Sequence, residues 1–220
     1  MHHEFWHERW QAGQIGFHQS EVHPFLAGWW PRLGLPTAAR VYVPLCGKSL
    51  DMVWLAGLGH TVVGSELSAL AVRDFFAERG LSPSRTERGG FVCHAAGPWE
   101  LFEGDALALT PALLGPVDAA YDRAALVALP PDLRRRYADS LAELLPRGAR
   151  VLLVSFEYPQ EMKGGPPFSV DADEIHGLFE PAFAVQQLER LDVLAASPKF
   201  AEIGIPALFE TAFLMERVQT

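Results

Sequence analysis

Val41-Tyr42-Val43-Pro44-Leu45-Cys46-Gly47-Lys48-Ser49, and after it Thr61-Val62-Val63-Gly64-Ser65-Glu66-Leu67-Ser68, are the stretches whose reading decides the fold. Each opens on a short apolar run rich in β-branched residues, as a buried strand does, and closes on a turn that leads into a helical pattern. The first helix is read from about Ser49 to Leu58, closed by Gly59. The second follows Ser68, whose hydroxyl suits a helix N-cap, carries Ala69, Val72, Phe75 and Phe76, and ends at Gly80. Two such units in succession make a βαβα start, which reads as an α/β fold: a doubly wound parallel sheet with helices on both faces.

Downstream the alternation continues. Phe91-Val92-Cys93-His94, a Gly97-Pro98 turn and Trp99-Glu100-Leu101-Phe102 read as a hairpin whose second arm is a core strand, leaving through Gly104-Asp105. Asp118-Ala119-Ala120-Tyr121 is the next strand. Pro130-Pro131 then opens a helix in which Leu133, Tyr137, Leu141 and Leu144 form one buried stripe. Val151-Leu152-Leu153-Val154 reads as a strand buried on both faces, and the runs 183–194 and 207–215 complete the chain after a Gly- and Pro-rich loop at 164–167. The expected organisation is a single domain over 1–220, with an N-terminal segment at 1–38 and the core at 39–220.

Composition narrows the function. Eighteen Lys and Arg against 27 Asp and Glu give a net charge of −9, and the longest basic run, Arg134-Arg135-Arg136, falls inside a helical pattern where a solvated face accounts for it. A duplex nucleic acid partner is therefore not expected. Glu4, Glu8 and Arg9 interrupt the N-terminal aromatics, against a signal peptide, and no apolar run reaches the ~18 residues of a membrane span. A cytoplasmic protein with no membrane partner is expected, and nothing in the sequence suggests anything but a monomer. Cys46 and Cys93 have no metal-ligand spacing and read as reduced, small hydrophobes, and His3 and His7 lack a completing ligand set, so no metal is assigned.

Ligands of a doubly wound sheet bind beyond the carboxyl ends of its strands, so the loops at 44–48, 64–67, 104–106 and 122–124 are where chemistry is expected. Gly47-Lys48-Ser49 resembles the end of a phosphate loop, but Tyr42 stands where that loop needs its first glycine, and no G-x-G-x-x-G follows the first strand. A nucleoside cofactor without phosphates remains compatible. Glu66, about twenty residues after Leu45, is placed to take ribose hydroxyls, although a helix N-terminal acid beside Ser68 would look the same. Asp105 is placed either for an adenine edge or as a turn-capping residue. Asp122-Arg123 brings both signs of charge to the site, or makes a surface ion pair. Phe5, Trp6, Trp10, Ile15 and Phe17 give the N-terminal segment an aromatic surface that suits either packing on the core edge or a lid over a purine-like or sulfonium ligand.

The blocks Phe5-Trp6-His7-Glu8-Arg9-Trp10, Gly16-Phe17-His18-Gln19, Val43 to Lys48, Gly59-His60 with Val63 to Ser68, Tyr121 to Leu126, Gly165-Pro166-Pro167-Phe168 and Leu208-Phe209-Glu210 together resemble the thiopurine S-methyltransferase family in order and spacing. The resemblance implies a class I, Rossmann-like methyltransferase fold with a seven-stranded, mostly parallel sheet and an N-terminal helical lid. It implies S-adenosylmethionine as cofactor, contacted by Trp10, Leu45, Glu66, Asp105, Ala106 and Arg123, and a small aromatic or heterocyclic thiol as acceptor, near Phe17, Pro166 and Lys199. Arg123 would be catalytic, favouring the thiolate. Selenium or tellurium species, or halides, are the alternative acceptors, and a non-catalytic cofactor-binding module is the alternative class.

Overall fold

The computed structural model describes residues 3–218. In chain order the elements are α1 (His3–Gln11), α2 (Pro24–Trp29), β1 (Arg40–Val43), α3 (Leu50–Gly57), β2 (Thr61–Glu66), α4 (Ala69–Ala77), β3 (Ser84–Arg88), β4 (Phe91–Ala96), β5 (Trp99–Glu103), α5 (Pro111–Leu114), β6 (Ala119–Arg123), α6 (Pro131–Leu144), β7 (Arg150–Glu157), α7 (Ala172–Phe179), β8 (Phe183–Asp192), α8 (Pro198–Ala201) and β9 (Phe209–Arg217). The capping residues act as their types predict. Ser49 accepts from Asp51 N at the start of α3, Ser68 accepts from Ala71 N at the start of α4, and Pro131 occupies the first turn of α6.

One sheet runs through the molecule in the order β3-β4-β5-β2-β1-β6-β7-β9-β8. Its centre, β5-β2-β1-β6-β7, is parallel, and β9 and β8 close one side as an antiparallel pair. These seven strands are the expected frame of a class I methyltransferase. The sheet has nine because β3 and β4 extend the other edge antiparallel to β5. β3, with the sequence Ser-Arg-Thr-Glu-Arg and every residue exposed, has no apolar face to betray it; it forms because the β4 edge offers it a ladder.

The period of two along each strand divides the core. Tyr42, Val151 and Leu153 face a layer made by α6 and α7, where Tyr137, Leu141, Leu144, Ile175 and Phe179 are buried. Val41, Val43, Leu152 and Val154 face the opposite layer, where Leu26 of α2, Met52 and Leu55 of α3 and Phe75 of α4 are buried. Residues 24–33 thus belong to the core, with Leu26 and Trp30 enclosed, and only the chain before them is free to act as a cover. A solvated face does not account for all of the arginine run. Arg134 is buried, forks onto Glu174 at 2.6 and 2.8 Å and donates to the Leu129 carbonyl, while Arg135 and Arg136 remain exposed. No helix among the described residues is long and apolar enough to cross a membrane.

Candidate active site

The loop after β1 is drawn against the end of β2. Gly64 makes this possible: a Cβ there would stand 2.6 Å from Cys46 Sγ and 2.7 Å from Leu101, so only glycine admits the Cys46 side chain. Cys46 N donates to the Ser65 carbonyl at 3.0 Å, and Gly47 N donates to Glu66 Oε2 at 2.8 Å. Leu45 is held in the left-handed region at φ +45°, a conformation that costs a non-glycine residue ~1–2 kcal/mol. Ala124, at the end of β6, is held likewise at φ +68°. Strain at two strand ends facing one cavity is what a pre-shaped site looks like. Cys46 itself is buried, and burial followed by the Glu66 charge pushes its thiol well above its ordinary range, so it stays a neutral packing group.

Glu66 acts at the helix start, as one of its two sequence readings expects, and also holds the first loop. Its Oε1 takes the Ser68 N–H at 2.7 Å, beside the helix start, and its Oε2 ties down Gly47. A carboxylate offers about four lone-pair directions, so each oxygen keeps acceptor capacity toward the cavity it lines. Burial raises its pKa, and the N–H groups of Ser68, Gly47 and Leu67 oppose the rise.

Asp105 caps the short turn Ala106–Ala108 by accepting from Leu107 N at 2.9 Å, and its other oxygen lies 3.5 Å from His3 Nε2. The capping reading is therefore realised, and Asp105 and Ala106 both border the cavity. Asp122 and Arg123 separate. Asp122 is wholly enclosed behind the site, accepting from Ala125 N, Leu126 N and Tyr137 Oη, and burial pushes its pKa up to about 6. The two do not pair, and Asp122 brings no charge to the cavity, because adjacent strand residues point to opposite faces. Arg123 alone of the two borders the cavity, and its Nη1 donates to the Phe17 carbonyl at 2.8 Å.

That bond fastens the N-terminal segment across the strand ends. Trp6 and Trp10, one turn apart on α1, both set their rings edge-on to Phe17, at 5.8 and 5.6 Å. Trp10 also packs against Gly47, where an added Cβ would come within 3.3 Å of its ring. Under this aromatic group lies a cavity of about 1430 Å³. All nine residues that the sequence singled out (Trp10, Leu45, Glu66, Asp105, Ala106 and Arg123 on the cofactor side, Phe17, Pro166 and Lys199 on the acceptor side) line it. The volume exceeds the ~300–1,000 Å³ usual for one small ligand, leaving room for two molecules in contact.

Sequence reasoning missed Arg9, Lys163, Phe156 and Phe200, which line the same space. Lys163 directly precedes the Gly-Pro block at 164–167, and Phe200 directly follows Lys199, so adjacency was the available signal. A bonded but unsaturated carboxylate, an aromatic group suited to a cation, and a first loop whose one glycine is tied to that carboxylate fit a sulfonium nucleoside better than a phosphate-bearing one.

Comparison with known proteins agrees. A family model described as thiopurine S-methyltransferase matches residues 1–218. The thiopurine S-methyltransferase of Xanthomonas campestris pv. campestris strain 8004 is 52% identical over 215 residues, 97% of this chain and 98% of that protein. That of Pseudomonas fluorescens strain Pf0-1 is 49% identical over 218 residues, 99% of this chain and 100% of that one. Among solved structures, the Burkholderia thailandensis 1,6-didemethyltoxoflavin-N1-methyltransferase with bound S-adenosylhomocysteine is similar in fold at a TM-score of 0.64 and 17% identity, covering 99% of this chain and 87% of that one. A SAM-dependent methyltransferase from Anabaena variabilis gives 0.65 at 13% identity, covering 98% and 94%.

Proposed function

The chain belongs to the thiopurine S-methyltransferase family and is an S-adenosylmethionine-dependent methyltransferase, and from that premise we propose that its acceptor is the sulfur of a small aromatic or heterocyclic thiol. The observation that carries the reading is the Arg123 guanidinium, bordering the cavity with a carbonyl, and no carboxylate, as its partner among the described residues. An uncompensated cation beside an acceptor sulfur lowers the thiol's pKa and holds it as thiolate, so no strong general base is needed.

The cofactor supplies an electrophilic methyl group on a sulfonium centre. Glu66 takes the ribose hydroxyls with its free lone pairs, the Ala106 region receives the adenine edge, Leu45 gives an apolar shelf, and Trp10 presents a ring face to the positive charge. Phe17 stands at the junction of cofactor and acceptor, with Pro166 and Lys199 around the acceptor. The segment before α2 acts as a lid that excludes water and aligns the sulfur for in-line displacement. The working unit is one domain, a cytoplasmic monomer acting on a small molecule, with no part for nucleic acid.

The test is turnover of radiolabelled cofactor with matched thiols, phenols and amines. Thiols should be methylated far faster, and Arg123→Met should raise the pH at which thiol turnover saturates. Phenols or amines turning over as well as thiols would overturn the acceptor assignment and leave the cofactor untouched.

A further inference from the structure

Five cations line the cavity: Arg9, Arg123, Arg136, Lys163 and Lys199. None of them has an ion-pair partner among the described residues, whereas eight of the thirteen lysines and arginines outside it (Arg40, Lys48, Arg73, Arg88, Arg134, Arg135, Arg150 and Arg190) each meet a carboxylate. With 27 acidic residues against 18 basic ones, the chain has no shortage of carboxylates with which to neutralise them. Of the three acids lining the cavity, Glu66 and Asp105 are already bonded to backbone N–H groups.

The cations on the acceptor side form a connected arc. Arg123 holds the Phe17 carbonyl, and the neighbouring Gly16 leaves room for Lys199 Nζ, which a Cβ at Gly16 would approach to 3.2 Å. Phe200, next to Lys199, lies 5.4 Å below Lys163 Nζ, which is half-buried and spends one of its three donors on the Pro166 carbonyl at 3.0 Å. Arg9 lines the same cavity, and burial lowers the Lys163 pKa, with the Arg9 guanidinium lowering it further. A thiolate is a single charge, and Arg123 with Lys199 provides for it.

We infer that the acceptor carries a second anionic group, a carboxylate, which Lys163 and Arg9 bind beside Phe200. The inference rests on the thiol reading above for the chemistry at sulfur but not for the anion subsite itself. The carboxylate of the cofactor's amino-acid tail is the rival occupant. It is disfavoured because Lys163 follows β7, three strand spacings or about 14 Å across the sheet from Glu66 on β2.

The experiment compares 4-mercaptophenylacetate with 4-methylbenzenethiol as acceptors, and measures by calorimetry the binding of phenylacetate to protein saturated with S-adenosylhomocysteine. The parent should prefer the carboxylated thiol in kcat/KM by about tenfold or more, as one or two charge-assisted hydrogen bonds allow. Lys163→Gln and Arg9→Gln should each reduce that ratio and weaken phenylacetate binding, and Lys163→Arg should restore both. A purely structural role would lower both acceptors together and leave the ratio alone. A parent ratio near one, a ratio unmoved by both Gln variants, or variants that weaken S-adenosylhomocysteine as much as phenylacetate would each overturn the inference. If no thiol is methylated while phenylacetate binds the parent and not Lys163→Gln, the thiol reading falls and the anion subsite stands.

Discussion

Two buried carboxylates, Glu66 on β2 and Asp122 on β6, have different uses, and their titration separates them. Glu66 is expected to accept hydrogen bonds from the cofactor's hydroxyls, so binding favours its ionised form. Because burial has raised its pKa, affinity should be complete above that raised value and should weaken as pH falls through it. Glu66→Gln should cost roughly 1.5–3 kcal/mol of cofactor binding and flatten this pH dependence, as calorimetry at several pH values would read. An unchanged dissociation constant would return Glu66 to a structural role at Gly47 and Ser68. Asp122 touches no part of the cavity, and its pKa of about 6 against an ordinary 3.8 makes it a stability group. The folded state binds this proton more tightly than the unfolded chain. Its contribution is therefore favourable below about pH 4 and is lost as pH rises to about 6, with a full span of roughly 3 kcal/mol. Asp122→Asn keeps an acceptor oxygen for Ala125 or Leu126 N–H, and its stability should fall less than the parent's between those pH values in denaturant titrations. Parallel curves for the two proteins would show that Asp122 is not the titrating group.

At the level of elements, α1 is the piece whose role is open to a direct test. It buries Trp10 and leaves its other residues partly or wholly exposed, and it is fastened through Trp10 to Gly47 and through the following loop to Arg123. Deleting residues 1–18 should leave a cooperatively folding sheet, since both core layers are built from α2 onward. Affinity for S-adenosylhomocysteine should fall by about tenfold or more, the scale of one lost large aromatic contact or two. A truncated chain that no longer melts cooperatively would make the segment an integral wall. Elements that bury apolar surface were legible in the sequence: β1, β2 and β7 carry continuous apolar runs buried on both faces, and the Leu133–Leu144 stripe carries a period of three to four that water enforces. β3 was not legible, because its five residues are all exposed and only a partner edge makes them a strand. The cavity residues on strand ends were legible for a related reason, since topology fixes where such ends gather. Arg134 was not, because what distinguishes a buried cation from a solvated one is its partner, and Glu174 lies far away in sequence.

Taken whole, the molecule has its cavity where the parallel strands end and beside α1, so the cofactor contacts proposed above come from α1, from the ends of β1 and β2, and from β6. A ligand held this way binds the folded state and has nothing to bind in the unfolded one, and its free energy must appear as stability. If 1–220 is one cooperative unit, the protein should melt in a single transition, and S-adenosylhomocysteine at a hundred times its dissociation constant should add ~2.7 kcal/mol, raising Tm by roughly 5–11 °C for a chain of this size. NAD and ATP at the same concentration should leave Tm where it was. Gly47 N is already committed to Glu66, Tyr42 stands where a phosphate loop needs glycine, and a phosphate brought to this loop would meet the Glu66 carboxylate instead of free N–H donors. A comparable shift with NAD or ATP would contradict the nucleoside-only reading of the first loop, and two resolved transitions would contradict the single unit.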